Sequence, residues 1–520
     1  MLSKTPDNGD KLVPQITISF ISLFLFWALL DMQGLSQIIQ GLFEFSTQLL
    51  GAAWQWMLLL NFIIASVIAV SRFGKLRLGN SSQPDISTFR WLSMIMCTLI
   101  AGGGVFWSAA EPIFHFTTLP PAFSHSQPQT PFESVGPALA QSFLHWGFLA
   151  WAALGTLSAI ILMYAHYKGG LKLRPRALLY PLFGGRLENH WLGSIIDAFS
   201  IISVAAGTIG PIGFLCLQMG YSLEAVTGIA NTPFVQLCIL AVVVAVYSLS
   251  AASGVDKGLQ WLSKFNVIGA SLLMLAVLFL GPTTFILEQF GQGFSTYLLH
   301  FGQLALTGSN PEWNQWWTWF FWSWFIGFAP VIAIFVARIS SGRTIRELVC
   351  AVAICAPVVT NFWFTVLGGT GIFFELQTPG SISDPLAAAG LPAVLIASLS
   401  QLPLASILLP SFMLLSTTFV VTTGDSMAYS IAASVSGDSE PTKQHRLFWA
   451  IAMGLVAGVL LQVGESGLKA LQSFIVITAV PVSALLATTL IGGPLVVYKM
   501  GNERQQCEAL PTDCAVSVIS

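Results

Sequence analysis

The sequence predicts an all-α polytopic membrane protein with twelve transmembrane helices, on three observations. Of the 520 residues, 55% are hydrophobic and only 8% charged, whereas a soluble globular chain carries about 25% charged residues. Apolar stretches near the ~20 residues needed to cross a bilayer recur twelve times, starting near residues 14, 54, 91, 141, 194, 233, 262, 315, 347, 403, 447 and 471. With the N-terminus placed in the cytoplasm, 20 of the 21 Lys and Arg residues fall on the cytoplasmic side, Lys469 being the exception. That is the separation the positive-inside rule requires. An odd number of spans would scramble it, so both termini are expected inside.

Taken in order, residues 1–13 form a cytoplasmic N-terminus whose Lys4, Asp7, Asp10 and Lys11 do not make a cleavable signal pattern. Two helices fill residues 14–90. The third, Met94 to Trp107, reads LIAGGGV at its centre. Gly102, Gly103 and Gly104 each weaken a helix by roughly 1 kcal/mol relative to alanine, so it is expected to unwind there. Pro330, five spans later, supplies a matching break, and two breaks at corresponding points indicate an inverted-repeat transporter with its site near the midplane. The repeats are then 91–290 and 291–498, followed by a short cytoplasmic tail, 499–520. Close helix packing is the competing reading of the glycines. A proline-rich loop, Thr117 to Pro131, and amphipathic stretches near Phe285 to His300 and Asp384 to Ser400 are expected to cap an external vestibule.

Several function classes are excluded or weakened. A net charge of -2 with no basic patch leaves no footprint for nucleic acid. No HExxH, GxSxG or pair of facing carboxylates is present, which argues against an enzyme. The cysteines (Cys97, Cys216, Cys238, Cys350 and Cys355 in spans, Cys507 and Cys514 in the tail) form no CxxC pair and read as small buried hydrophobes. A channel would need repeated carbonyl motifs in rings, whereas the two broken helices are inequivalent.

Six of the seventeen tryptophans (Trp313, Trp316, Trp317, Trp319, Trp322 and Trp324) fall within twelve residues. Interfacial anchoring explains indoles at headgroup depth, but this cluster continues into the apolar run. Desolvated cations bind indole faces.

Five motifs together resemble the betaine/choline/carnitine transporter family of quaternary ammonium carriers. They are WSWFIGFAP (Trp322 to Pro330) followed by FVARISSGRTIRE (Phe335 to Glu347), HWGFLAWA (His145 to Ala152), RLGN (Arg77 to Asn80), FWSAAEP (Phe106 to Pro112) and GVDKGLQWLS (Gly254 to Ser263). The resemblance implies a leucine-transporter-type fold of two inverted five-helix repeats plus two N-terminal helices. It also implies homotrimers in a bacterial inner membrane, alternating access, and an onium substrate. Carried over residue by residue, it assigns the substrate-binding aromatic box to Trp146, Trp151, Trp322, Trp324 and Phe325. Phe328 lies one turn on, and Gly102 and Gly103 belong to the unwound segment. Spacing alone does not put Trp146 and Trp151 on one face, since five residues span about 140° of an ideal helix. Three positions depart from the family pattern: Leu154 replaces a tyrosine, and Phe325 and Phe328 replace tryptophans. A weaker cage follows, and the substrate's identity stays open among onium compounds.

For ion coupling, the resemblance implies a sodium ligand set of the Phe419 carbonyl and the Thr422 and Thr423 hydroxyls in TFVVTTGDS (Thr418 to Ser426), with carbonyls at Cys97 and Ile100. No other cofactor is expected. Back-bonding of the threonines to their own helix is the competing reading. A second site would fall at Thr208, with Val331 where an aromatic is expected. The methionine and arginine that replace sodium in ion-independent exchangers correspond to Ile332 and Asn266 here. Asp425 is open between a proton-carrying role and a solvated helix end. Glu111 and Asp197, placed at span ends, read as structural, and His145 as a packing histidine. Lys499 and Arg504 are the tail's basic residues, so transport without osmotic activation is expected. The sequence thus predicts a secondary carrier importing an onium compound, sodium-coupled or, alternatively, proton-coupled or ion-independent.

Overall fold

A computed structural model describes residues 11–99, 103–124, 128–253, 256–436, 441–463 and 466–509. Apart from one isolated bridge, between Arg77 and Thr344, the described residues contain no β-structure. Eleven helices among them are long and apolar enough to cross a membrane. The remaining predicted span, from about residue 91, is divided between α3 (Thr88–Leu99) and α4 (Val105–Thr117), following α1 (Leu12–Leu30) and α2 (Met32–Val70).

α2 starts at Met32 rather than near residue 54, because the Asp31 carboxylate accepts from the Gly34 N–H at 2.8 Å and caps a new helix directly after α1. Next come α5 (Val135–Trp146), α6 (Phe148–Gly155), α7 (Leu157–Tyr167), α8 (Trp191–Thr227), α9 (Pro233–Ser253), α10 (Asp256–Leu280) and α11 (Thr283–Leu299). The second half holds α12 (Thr318–Ile339), α13 (Ile345–Gln377), α14 (Leu391–Ser400), α15 (Ala405–Ser436), α16 (Lys443–Gln462) and α17 (Gly467–Ala509).

Burial ranks these helices. The most apolar windows of α5–α7 and of α8 are 94% buried, whereas those of α1, α9 and α10 are 28% buried. The former make the centre, and the latter are apolar outside, as a lipid-facing helix must be. α8 packs on α15 and α17, α4 on α5 and α13, and α12 on α17, α6 and α7. Cys216 is buried, but Cys238, Cys350 and Cys355 are exposed. The expectation of buried cysteines fails for these three because outward helix faces are apolar too.

Two sequence motifs dock into each other at one end of the bundle. Leu78 N–H donates to the Arg343 carbonyl, Gly342 N–H to the Leu78 carbonyl and Ile345 N–H to the Leu76 carbonyl. Gly79 and Gly342 take left-handed φ of 80° and 78°, which glycine adopts without strain. Arg343 is buried; it donates to the Thr88 hydroxyl and the Ile86 carbonyl and lies 4.6 Å from the Trp91 ring centroid. Arg346 donates to the Ala69, Val70 and Ser71 carbonyls, covering the C-terminal end of α2.

Candidate functional site

Helix interruptions open the interior, though not all where the sequence placed them. α3 ends at Leu99, and the chain is described again from Gly103; Ile100 and Gly102 lie outside the described residues. α12 runs unbroken through Pro330, which corrects the expected second break. Proline removes one intrahelical donor, and buried neighbours can absorb that loss in a membrane helix. The interruption falls earlier, at Trp317 (φ -121°, ψ -88°). Another separates α5 from α6 at Gly147, where a Cβ would overlap the Phe143 carbonyl. Trp146 and Trp151 therefore stand on different helices, and ideal-helix spacing does not relate them.

A cavity of about 500 Å³ lies between α3, α8, α10, α12, α13 and α15, within the range that holds a small organic molecule. Trp146, Trp324, Phe325 and Phe328 line it together with Gly103, Leu154 and Trp363. Trp146 meets Trp324 edge-on at 6.1 Å between centroids and 85°, and Phe325 at 5.5 Å and 85°. Trp324 and Phe325 are parallel within 6°. A Cβ on Gly103 would overlap the Trp324 ring, and one on Gly207 would overlap Phe328. Each tryptophan's N–H is engaged behind the ring: Trp146 with Glu111 Oε2 at 2.8 Å, Trp324 with the Gly207 carbonyl at 3.2 Å, and Trp363 with the Gly104 carbonyl at 3.2 Å. The rings are thereby oriented at the cavity wall.

Trp151 and Trp322 are fully enclosed and do not line the cavity. Trp151 packs in the core formed by α7 and α13, and Trp322 lies against His145, 5.8 Å between centroids. Trp363 was not singled out in the sequence; it is an isolated indole in α13 without a tryptophan-rich motif around it.

The polar wall comprises Thr208, Asn266, Thr422, Thr423 and the Phe419 region. The Thr422 hydroxyl lies 2.9 Å from the Thr418 carbonyl and 3.1 Å from the Phe419 carbonyl, and Thr208 donates to the Val204 carbonyl at 2.8 Å. Asn266 Nδ2 donates to the Thr422 hydroxyl at 2.8 Å and to the Thr418 carbonyl at 3.1 Å, while its Oδ1 is buried without a partner. Cys97 lies in the last turn of α3. Asp425 is buried, and the Ser250 hydroxyl donates to its Oδ2. Asp197 pairs with Arg176 at 2.7 Å.

Glu111 is not at a helix end. It is fully buried in α4, with His145 Nδ1 2.5 Å and His115 Nε2 3.3 Å from Oε1, and the Trp146 N–H on Oε2. The motifs FWSAAEP and HWGFLAWA meet through this carboxylate. His145 is hydrogen-bonded as expected, but to a buried acid rather than to backbone. Trp313 and Trp317 stack near His115 at 5.5 and 4.6 Å, while Trp316 stacks on Phe43.

Comparison with known proteins identifies the family. A family model described as betaine/carnitine/choline family transporter matches residues 12–501. Glycine betaine transporter 2 of Vibrio parahaemolyticus is 49% identical over 94% of this chain and 90% of its own length. Glycine betaine transporter OpuD of Bacillus subtilis is 30% identical over 91% of each. An ectoine/hydroxyectoine transporter of Virgibacillus pantothenticus is 30% identical over 86% of this chain and 89% of its own.

Proposed function

The chain belongs to the betaine/carnitine/choline transporter family, and from that premise we propose that it imports a quaternary ammonium zwitterion of the glycine betaine type by sodium-coupled alternating access. It is a multi-pass membrane protein and a transporter rather than an enzyme. The single observation that carries the substrate class is the cavity bounded by Trp146, Trp324, Phe325 and Trp363, with every indole N–H turned away. A methylated ammonium donates no strong hydrogen bond, so aromatic faces are its natural partners.

Sodium coupling draws support from the buried, unpartnered Asn266 Oδ1 beside Thr423, Thr422 and Phe419, since a hard cation takes neutral oxygen ligands. A second reading, sodium-independent exchange, is favoured by Asn266 Nδ2. That neutral amide carries no charge to replace the ion's, but it already donates to two oxygens near the assigned site and so occupies lone pairs a sodium ion would need. Uptake of labelled glycine betaine into proteoliposomes separates the two. Concentrative uptake that collapses without a sodium gradient supports symport, while counterflow undiminished in sodium-free buffer supports exchange. Passive equilibration alone would sink the carrier. A homotrimer in a bacterial inner membrane with both termini cytoplasmic completes the proposal, testable by crosslinking and terminal-tag accessibility.

A further inference from the structure

Glu111, His115 and His145 are each 0% exposed, and their ligand-type atoms lie within 4.8 Å of one another. The hydrogen-bond pattern fixes their roles. The Gln141 side-chain nitrogen, in the orientation it adopts here, can only donate, and it lies 3.0 Å from His145 Nε2. The Thr318 hydroxyl is 2.9 Å from the same nitrogen. His145 Nε2 therefore accepts, the ring proton is on Nδ1, and Nδ1–H donates to Glu111 Oε1. With the Trp146 N–H, two donors converge on this carboxylate, and His115 Nε2 lies 3.3 Å from its Oε1. That is the arrangement of an ionised acid. Yet its ion-pair partners are two histidines, and no Lys or Arg among the described residues pairs with it.

An isolated carboxylate buried in an apolar interior must be neutralised. Besides a proton on the carboxyl itself, two cations can do so. One is a proton on His115, whose Nδ1 is buried without a partner and whose ring centroid lies 4.6 and 5.5 Å from the tilted rings of Trp317 and Trp313, close enough for an imidazolium to gain from their π-systems. The other is the substrate's ammonium on the cavity side of Trp146. A carboxylate accepting an indole N–H pushes electron density into the ring and strengthens its attraction for a cation.

We propose that Glu111 is a fixed negative charge behind Trp146, and that a proton held on His115 and the positive headgroup of the substrate compete to neutralise it. The proton leaves His115 as the onium group occupies the cavity. The inference rests on the proposed substrate class.

The other titratable groups on elements packed against α4 are already committed or remote in chemistry. Glu375 on α13 accepts from the Gly380, Ile382 and Ser383 N–H groups and the Ser383 hydroxyl. On α8, Asp197 is paired with Arg176, Tyr221 donates to the Ala389 carbonyl, Cys216 is a buried thiol, and Glu224 meets Asn231 N–H. Asp384 is exposed, and α14 carries no titratable side chain.

Equilibrium binding of labelled glycine betaine to the purified full-length protein, from about pH 5.5 to about pH 8.5, tests the competition across the range where histidine titrates. Affinity should rise by up to about tenfold per pH unit in the acid limb and then level off. His115→Asn should bind at the alkaline-limit affinity at every pH. Glu111→Gln, which keeps an acceptor for the Trp146 N–H, should bind weakly and without pH dependence. Wild-type affinity that is flat with pH, or Glu111→Gln binding as tightly as wild type at high pH, overturns the proposal. Should either variant fail to fold, wild type still decides: in weak buffer with an indicator dye, glycine betaine should release protons near the midpoint, and no release overturns it. Absence of binding at every pH would instead reject the substrate class.

Discussion

The family resemblance assigns Trp324 and Trp151 to one aromatic box, but they stand in different places, and their substitutions should separate accordingly. Trp324→Ala removes a ring face from the cavity. Glycine betaine should bind about 30-fold more weakly, the equivalent of the ~2 kcal/mol a desolvated cation–π contact supplies. Trp151 is enclosed away from the cavity, with an N–H that finds no partner. Trp151→Phe should leave affinity unchanged and shift only the melting temperature; a tenfold loss of affinity would place Trp151 back in the cage. Gly103→Ala places a methyl group against the Trp324 ring. Uptake should fall at least about tenfold, because overpacking of about 1–3 kcal/mol is relieved by tilting that ring into the cavity. Normal uptake would show that the ring has room to yield. Trp146, Trp324 and Gly103 were legible because they lie in contiguous motifs. Trp363 and the Glu111 network were not, since their meaning comes from partners far away in the chain, Gly104 for one and His145 for the other.

At the scale of elements, the fully apolar runs announced themselves, but the interruptions inside them did not. Proline is the usual cue, yet α12 continues through Pro330, and the breaks fall at Trp317 and Gly147. Both are decided by what packs there: the space at Gly147 is bounded by the Phe143 carbonyl and the Tyr297 hydroxyl, which only the fold brings close. α2 likewise gained its early start from the Asp31 cap, a local signal outweighed in the reading by the polar residues after it. The docked loops offer a test at this scale. Arg343→Leu leaves the Ile86 carbonyl and the Thr88 hydroxyl without their cationic donor at the start of α3. Stability should drop by about 2–3 kcal/mol, read as a lower midpoint in detergent unfolding. A change below 0.5 kcal/mol, the usual range for an uninvolved surface site, would mean the contact is dispensable.

For the whole molecule, the cavity is bordered on one side by α10, whose Ser263, Val267 and Ser271 are exposed as well as cavity-lining. That wall is thinly covered, and the proposed alternating access requires some wall to open. Ser271→Cys, in a background lacking the exposed Cys238, Cys350 and Cys355, should react with a polar maleimide more slowly when glycine betaine is saturating. Labelling that ignores the ligand would place the moving wall elsewhere. The clamp between the two halves has a further meaning for how the chain is made. Arg77 donates to the Gly342 carbonyl across 265 positions, and Arg346 covers the end of α2 across a similar span. During synthesis the end of α2 must therefore emerge and wait, its last carbonyls facing water or a chaperone, until α12 has been inserted. Contacts so distant in sequence form late. A ribosome stalled before residue 338 would leave the first half inserted but unlatched at this end.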